Sequence, residues 1–423
     1  MRAARRLRRA GPYVVAVSLL IGLGATRVAA AAQWYAVPSL RMQTGYNDNP
    51  RFAISNGKST EIFDLAPSLE VGARAPRWGA AVVGGAHLRR YPGASELNRN
   101  DNSVNVSSHY DAQRLSWRLG GSYIRSSILG TAQPLGPQTG LVEFQSQRRT
   151  GTASPSLTWQ VTPTDLLRVS YLFQDTSYQD AARLGLSSFR YHRGSLTYQH
   201  DLSARLQVFA IPSYSMFDVP ASGFQSRTVG LRLGVTRVFS STLSATLSAG
   251  GRRTESQGVQ QIREGFFIGP SVFIQTGIRR VDVSSLNTGV TADASFTKRL
   301  ERGALTGSFS RSLTPNGLGT EVETNDLSLA LNRPLTRRLA GNLSLHLLRA
   351  RTVGAVDTTR LSSVDRDYAR LSPSLRWKWT RRTTVEASYA YTWFRYRSSG
   401  RIVRDNVIYL TLSYRWPRII LSR

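Results

Sequence analysis

Histidines are the side chains in this sequence that could act in acid–base catalysis or metal binding at neutral pH. The chain has 423 residues, five histidines and no cysteine, so it has no thiol chemistry and no disulfide framework. No histidine pair has the spacing of metal ligands, and no serine motif surrounds a nucleophile. We therefore expect no catalytic residues, no metal site and no cofactor. The five histidines, which we expect to be solvated, are His87, His109, His192, His200 and His346.

Arginine is the functional residue type that the chain has in excess. Lysine and arginine total 55 against 26 aspartates and glutamates, which gives a formal net charge of +29 at pH 7. Such a charge can indicate an anionic partner, such as nucleic acid or an anionic ligand. Alternatively, the basic residues simply lie in solvated loops. The sequence contains no recognition helix and no RNA-binding signature. A nucleic-acid partner is therefore not expected, and an anionic ligand remains.

The N-terminal segment has the organisation of a secretory signal peptide. Its basic head contains five arginines, residues 13–25 form an apolar core, and small residues follow at 29–32. The alternative is a membrane anchor, but the uncharged run is short for a span of about 20 residues. We predict a signal peptide over 1–32, cleaved near Ala30 or Ala32. Its removal takes away six arginines and no acid, so the net charge falls from +29 to +23.

Apolar and polar residues alternate along most of the remaining chain. Residues 371–379 (LSPSLRWKW) place an apolar side chain at every second position, and 384–396 (TVEASYAYTWFRY) repeat the pattern after a short basic connector. Side chains of a β-strand point to opposite faces with a period of two, so each stretch predicts a strand with one apolar face. No composition shift or linker divides residues 33–423, which we expect to form one domain.

Eighteen such stretches lie between residues 36 and 416, and their connectors alternate between short and long. Short turns at one end and long loops at the other are typical of outer-membrane barrels, with periplasmic turns and extracellular loops. Propeller blades would need four short strands in each repeat. The predicted fold is all-β, a transmembrane antiparallel up-and-down β-barrel of about 18 strands, with 16 or 20 as alternatives.

In a membrane barrel of this size the apolar face meets lipid and the polar face lines a watery lumen. Amphipathic rings favour the membrane interface, and tryptophans lie at the predicted periplasmic strand ends. This aromatic girdle comprises Trp159, Trp377, Trp379 and Trp416. Arginines occupy inward positions, where they would select anions or pair with lumen acids such as Glu70, Asp293 or Glu386. The predicted pore-lining arginines are Arg41, Arg89, Arg118, Arg168, Arg232 and Arg376.

One strand-like segment does not fit the count of eighteen. Residues 266–277 (FFIGPSVFIQTG) lie inside the longest predicted loop, 256–286. Making this segment a spanning strand would move every later short turn to the opposite side of the membrane. We therefore keep it in the loop, where it either folds inward as a constriction or extends a strand above the membrane.

Both ends of the predicted barrel carry recognisable sequence. The last strand, 406–416 (NVIYLTLSYRW), resembles the C-terminal assembly signal of outer-membrane proteins, although residues 417–423 follow its terminal aromatic. Residues 46–50 (YNDNP), which close the first strand, resemble the opening of a family of outer-membrane β-barrel porins associated with exopolysaccharide production and export. The resemblance implies the outer membrane of a Gram-negative bacterium and separate periplasmic polysaccharide-export proteins as partners.

These observations favour a non-enzymatic channel that passes anionic exopolysaccharide or other anionic solutes through a basic lumen. The expected surroundings are outer-membrane lipid, lipopolysaccharide and the barrel-assembly machinery. Two alternatives stay open, namely a barrel enzyme of the lipid-hydrolase or protease type, and a surface adhesin or scaffold that uses the long loops. An enzyme needs an acid–base constellation near the membrane edge, which the scattered histidines and carboxylates do not indicate. Either an open or a plugged lumen fits the pattern.

Overall fold

The computed structural model describes residues 32–53, 57–128, 146–179, 181, 186–268, 272–317, 319–353, 365–397 and 400–421. The predicted signal peptide lies outside the described residues except for Ala32, and its cleavage stays a prediction. None of the helices in these ranges is long and apolar enough to cross a membrane.

Eighteen long strands form one antiparallel sheet in the described residues, and each strand pairs with its neighbours in the chain. The first strand also pairs with the eighteenth, from Ser39 opposite Arg415 to Asn47 opposite Val407, so the sheet closes into a barrel. This confirms the predicted up-and-down barrel of 18 strands. The strands are β1 Gln33–Asn47, β2 Thr60–Arg74, β3 Trp78–Arg90, β4 Arg99–Asp111, β5 Leu115–Ile128, β6 Ser146–Gln160, β7 Asp165–Tyr178, β8 Phe189–Ser203, β9 Leu206–Val219, β10 Phe224–Ser240, β11 Leu243–Ile268, β12 Val272–Leu300, β13 Gly303–Pro315, β14 Glu321–Pro334, β15 Leu339–Val353, β16 Arg366–Lys378, β17 Thr383–Tyr396 and β18 Ile402–Arg415.

Two short elements complete the described fold. A two-residue strand, β19 (Ile419–Ile420), pairs with Tyr35 and Ala36 of β1, so the segment beyond Trp416 returns to the start of the barrel. A single 3₁₀ turn, Ser95–Leu97, lies between β3 and β4. Neither element alters the order of the eighteen strands.

The exposed face of the barrel is apolar. In β10, Val229, Leu231 and Leu233 are each half exposed or more, whereas Arg232 between them points to the lumen. A closed barrel that exposes an apolar band and turns its polar side chains inward is soluble only in a bilayer. The same inversion recurs in the other strands, for example at Leu375 and Ser374 in β16. The barrel is therefore an integral protein of the Gram-negative outer membrane.

Four of the short turns at one end of the barrel have a hydroxyl cap. The Ser240 hydroxyl oxygen accepts from the backbone N–H groups of Thr242 and Leu243 at 3.3 and 3.1 Å. Thr162, Thr336 and Thr380 cap their own turns in the same way. A serine or threonine hydroxyl that bonds the backbone two or three residues ahead stabilises a tight turn. The short basic turns therefore have a local cause in the sequence.

The hairpin of β11 and β12 is far longer than its neighbours, with 26 and 29 residues in its strands. The pairing of β11 with β10 ends at Gln257 of β11, and the pairing of β12 with β13 ends at Ala292 of β12. At about 3.3 Å per residue, the part beyond Gln257 extends the ribbon by roughly 35 Å. The described residues of 266–277 thus continue these strands, as the alternative of a strand extension predicted. The described backbone prolongs the strands through most of the predicted 256–286 loop.

A cysteine scan would establish which end faces the cell exterior, on a background that has no native cysteine. Cysteine at Ser240, in a short turn, should resist an impermeant thiol reagent on intact cells. Cysteine at Ala221, an exposed residue between β9 and β10, should react. The reverse labelling pattern would show that the barrel is inserted in the opposite orientation.

The membrane-facing assignment predicts unequal tolerance of charge at adjacent residues of β16. Leu375→Arg should lower the free energy of unfolding in lipid by about 2–4 kcal/mol, because its side chain faces the bilayer. Ser374→Arg should cost far less, because Ser374 faces the lumen beside Asn342. Urea-induced unfolding in liposomes measures both, and equal losses would contradict the face assignment.

Candidate functional site

Three of the six predicted pore-lining arginines bind carboxylates. Arg89 donates through Nε to Asp64 Oδ2 at 2.6 Å, and Arg376 donates to Glu386 Oε2 at 2.7 Å. Arg232 forms an ion pair with Asp293. All three lie on the inward face, but much of their positive charge is balanced locally.

The other three arginines have neutral neighbours on the same face. Arg41 Nη2 donates to Gln43 Oε1 at 3.1 Å, and Arg168 Nε donates to Thr158 Oγ1 at 3.1 Å. Arg118 stands opposite His109 in the register between β4 and β5. A guanidinium group is always protonated near neutral pH, so these three contribute an unbalanced positive charge to the lumen.

A concavity of about 880 Å³ in the lumen has a strongly basic lining. Seven arginines line it, whereas Asp101 is its one lining carboxylate among the described residues. Only Arg41 and Arg89 of the six predicted arginines are among them. The arginines of this cavity are Arg41, Arg89, Arg99, Arg148, Arg370, Arg382 and Arg415.

The sequence analysis missed five of these arginines, although three carried a usable signal. Arg370 lies two residues before Ser372 on the inward face of β16, and Arg148 lies opposite Ser126. Arg99 stands directly opposite Arg89 in the register between β3 and β4. Extending the alternation by a few residues at each strand end would have found them. Arg382 and Arg415 lie in a turn and at a strand end, where alternation gives no guide.

The long-loop end of the lumen is filled with apolar side chains. One buried cluster, which we call the aromatic cluster, packs on the inward faces of β7–β10, and two others involve the connections after β1 and β3. Phe217 and Val219 are fully buried there, unlike the inward residues farther down the barrel. The aromatic cluster comprises Tyr178, Leu186, Phe189, Tyr191, Phe217, Val219 and Phe224.

The distal part of the β13–β14 hairpin lies inside the barrel wall. Pairing between β12 and β13 stops at Ala292 opposite Arg311, whereas β13 and β14 remain paired as far as Pro315 and Glu321. Glu321 and Glu323 lie on the same face of β14 as Leu327. This face would point outward if the strand continued within the barrel wall. We call residues 312–323 the inner hairpin.

Contacts across the wall show where the inner hairpin is held. Ser226, on the inward face of β10, donates to Glu321 Oε2 at 2.5 Å. Arg252, on the inward face of β11, donates to Glu323 Oε2 at 3.0 Å. The Ser187 backbone N–H donates to the Gly317 carbonyl at 2.7 Å, beside the aromatic cluster. The face of the inner hairpin that would otherwise point outward thus contacts the inward faces of β10 and β11. The inner hairpin must therefore overlap β10–β12 from inside the barrel, which narrows the lumen.

The four tryptophans of the predicted girdle lie at the short-turn end. Trp159 and Trp377 are at strand ends, and Trp379 and Trp416 follow a strand directly. All four are exposed, and the Trp377 and Trp379 rings stack with centroids 6.2 Å apart.

Four of the five histidines have a side-chain partner in the described residues. Asp64 holds His87, Asp165 holds His200 and Asp326 holds His346, each at 2.6–2.8 Å, while His192 bonds the Tyr171 hydroxyl. The described residues contain no group of three or more potential metal ligands.

Fold and lumen together define an outer-membrane β-barrel with a basic interior. No family model and no curated protein match the sequence. Among solved structures, the ferric-catecholate import receptor Fiu from E. coli K12 is similar over 90% of this chain and 81% of that one, with 10% identity and a TM-score of 0.46. OccAB3 of Acinetobacter baumannii is similar over 91% of this chain and 99% of its own, with 10% identity and a TM-score of 0.44. OpdK of Pseudomonas aeruginosa, solved with vanillate, is similar over 91% of this chain and 99% of its own, with 10% identity and a TM-score of 0.45.

Proposed function

We propose that this protein is an outer-membrane channel that prefers anions and that its cargo includes acidic exopolysaccharide. The observation that carries the proposal is the cavity lined by seven arginines and one carboxylate. Rings of arginine or lysine commonly select anions in pores. A basic, narrow lumen also raises the local concentration of anions through its field.

The arginine lining runs along the lumen rather than forming a single ring. Arg382 and Arg415 lie at the short-turn end, while Arg89 and Arg99 lie at the long-loop end. An acidic polysaccharide carries carboxylates at regular intervals along its chain. Successive guanidinium groups along the passage could exchange such carboxylates one after another, which suits transport better than a single tight site.

The motif that carries the exopolysaccharide resemblance has a structural use here. Asn47 Oδ1 accepts from the Asn49 backbone N–H, and Asn49 Nδ2 donates to the carbonyls of Ala53 and Arg404. Asp48 accepts from the side chain and the backbone of Asn406. These bonds fix the first long loop to β18. The motif thus supports the barrel closure, and the proposed cargo rests on the charge of the lumen.

The proposal implies partners that match a transport role. Outer-membrane lipid and lipopolysaccharide would surround the apolar band, and the barrel-assembly machinery would insert the chain. Separate periplasmic export proteins would deliver the polymer to the short-turn end.

A surface adhesin or scaffold is a second candidate, and the β11–β12 hairpin favours it. This hairpin continues beyond its pairing with both neighbouring strands, so it presents two unpaired backbone edges outside the membrane. A contact role for the hairpin does not require an open lumen. Measurement of conductance separates the two functions.

Reversal potentials in planar bilayers test the channel. Under a salt gradient the protein should prefer anions, and the preference should weaken near 1 M salt, where the Debye length is about 3 Å. Replacing Arg41, Arg118 and Arg168 with Gln should reduce the anion-to-cation permeability ratio several-fold, because these charges have neutral neighbours.

Arg227, Arg253 and Arg395, exposed on the opposite face of their strands, provide the matched control. Their replacement with Gln should leave the permeability ratio unchanged. Equal ratios in both triple variants and the native protein would indicate a general porin. Absence of conductance would indicate a structural barrel.

A further inference from the structure

We propose that the long-loop end of the arginine cavity is a binding site for a sugar that carries a carboxylate. The proposal deepens the proposed function, since it names the chemical unit that this lumen recognises. Its residues are Arg89, Arg99, Arg148 and Arg370, all in the strand halves next to the long loops.

Charge at this site is not balanced by the nearby carboxylates. Asp64 is buried and already accepts from Arg89 at 2.6 Å and from His87 at 2.8 Å. Asp101 accepts from the Ser127 backbone N–H at 2.6 Å. Asp405 lies near Arg370 as well. Four guanidinium groups thus share three carboxylates, and an added anion would compensate the remaining excess.

Two of the guanidinium groups have an N–H without an acceptor. In the described part of the chain, the Nε atoms of Arg99 and Arg148 are buried and have no hydrogen-bond partner. Arg99 is itself only 8% exposed, and its Nη2 reaches the Tyr91 hydroxyl at 3.4 Å. A buried charged donor without an acceptor is costly. Both arginines line the cavity, so a ligand carboxylate there would supply acceptors for their guanidinium groups.

The lining indicates which anion fits. A guanidinium group presents a planar fork that matches a carboxylate with two parallel hydrogen bonds. Around the arginines, the cavity is lined by the hydroxyls of Ser103, Ser126, Ser127 and Tyr409, which can bond sugar hydroxyls. A uronate presents both groups on one ring. Sulfate and phosphate can bond the arginines too, but they lack the ring hydroxyls that a uronate offers to the rest of the lining.

Binding to detergent-purified protein tests the site without requiring conductance. Isothermal titration with galacturonate should show saturable binding, and neutral galactose should not bind. Arg99→Gln and Arg148→Gln should each weaken galacturonate binding about tenfold or more, as expected for a lost charged hydrogen bond. Arg227→Gln, exposed on the outward face of β10, should bind like the native protein.

The outcomes separate the site from the channel. Equal affinity in Arg99→Gln, Arg148→Gln and Arg227→Gln would overturn the site, provided that heat-modifiable electrophoresis shows folded barrels. Sulfate binding as tight as galacturonate binding would overturn the sugar assignment. Galacturonate binding in a protein without conductance would retain the site and reject the channel.

An independent observation, the unpaired edges of β12 and β13, carries a second inference. We infer that the inner hairpin moves between its inner position and a position paired with β12. If the register continued beyond Ala292 and Arg311, Val290 would lie opposite Leu313 and Gly289 opposite Thr314. Val290 and Leu313 both belong to the apolar outward faces, so the paired arrangement matches lipid on its outer side.

Glu323 is the latch that holds the inner position. Its carboxylate accepts from Arg252 at 3.0 Å and from Arg311 at 2.7 Å, and only 12% of its side chain is exposed. The Arg252 side chain lies across Gly289 of β12, where any larger residue would collide with it. Pairing β13 with β12 would break the Arg252 contact and widen the lumen.

Cysteine pairs test this motion because the chain has no cysteine of its own. Under oxidant, Val290→Cys with Leu313→Cys should form a disulfide slowly and raise single-channel conductance when it forms. Adding Glu323→Gln should speed crosslinking several-fold, whereas Glu301→Gln, at the turn between β12 and β13, should not.

The already paired residues Ser295 and Ser308 provide a positive control when both are changed to Cys. If that control crosslinks while the Val290 and Leu313 pair stays reduced, the inner hairpin is a fixed plug. Crosslinking without a change in conductance would show motion that does not gate the lumen.

Discussion

Backbone pairing along the barrel seam is the constraint on which this structure depends. A bilayer offers no water to unpaired N–H and C=O groups, so a membrane-spanning sheet must close on itself. Nine residue pairs join β1 to β18, and Asp48 and Asn406 tie the two strands together beyond them with three hydrogen bonds. β19 extends the same seam at the opposite end. Every inward or outward assignment in the molecule follows from this closure.

The junction of β12 and β13 departs from that constraint, and the departure explains the inner hairpin. Above Ala292 and Arg311 the two strands are not paired with each other. The inner hairpin instead overlaps the wall from inside, and its acids bond Ser226 and Arg252. The inner hairpin thus lies on the lumen side of the unpaired edges. Because the inner hairpin overlaps the wall, its acids and Arg252 form a charged network at this part of the barrel wall. Elsewhere the wall separates lipid from a polar interior.

Alternation in the sequence was enough to predict the strand number, the faces and the two unequal ends. Each of these depends on residues that are close in sequence, such as Leu375 beside Ser374, or Ser240 beside Thr242. The cavity was not predictable, since it depends on strands that closure brings together. Arg415 and Arg41 line one cavity although they are at opposite ends of the chain.

Two local signals at the loop end could have been used and were not. Glu321 and Glu323 are charged residues at outward positions of a strand, and a charge on the lipid face indicates that the face is covered. For 266–277, in contrast, nothing local separated an inward loop from a prolonged strand. An inward loop and a prolonged strand would show the same pattern of apolar residues. The two are told apart only by the backbone pairing of 268 with 272 and of the described residues on either side.

The seam also has a kinetic consequence. Seventeen of the adjacent pairings between long strands join elements that are consecutive in sequence, so they form with short loop closures. The pairing of β1 with β18 instead joins residues more than 350 positions apart, such as Asp48 and Asn406. Loop-closure entropy and contact order both make such a pairing the slow one. The chain would thus exist during assembly as a curved open sheet with two free edges, and the asparagine and aspartate bonds at the seam would form at the last step, committing that sheet to a barrel.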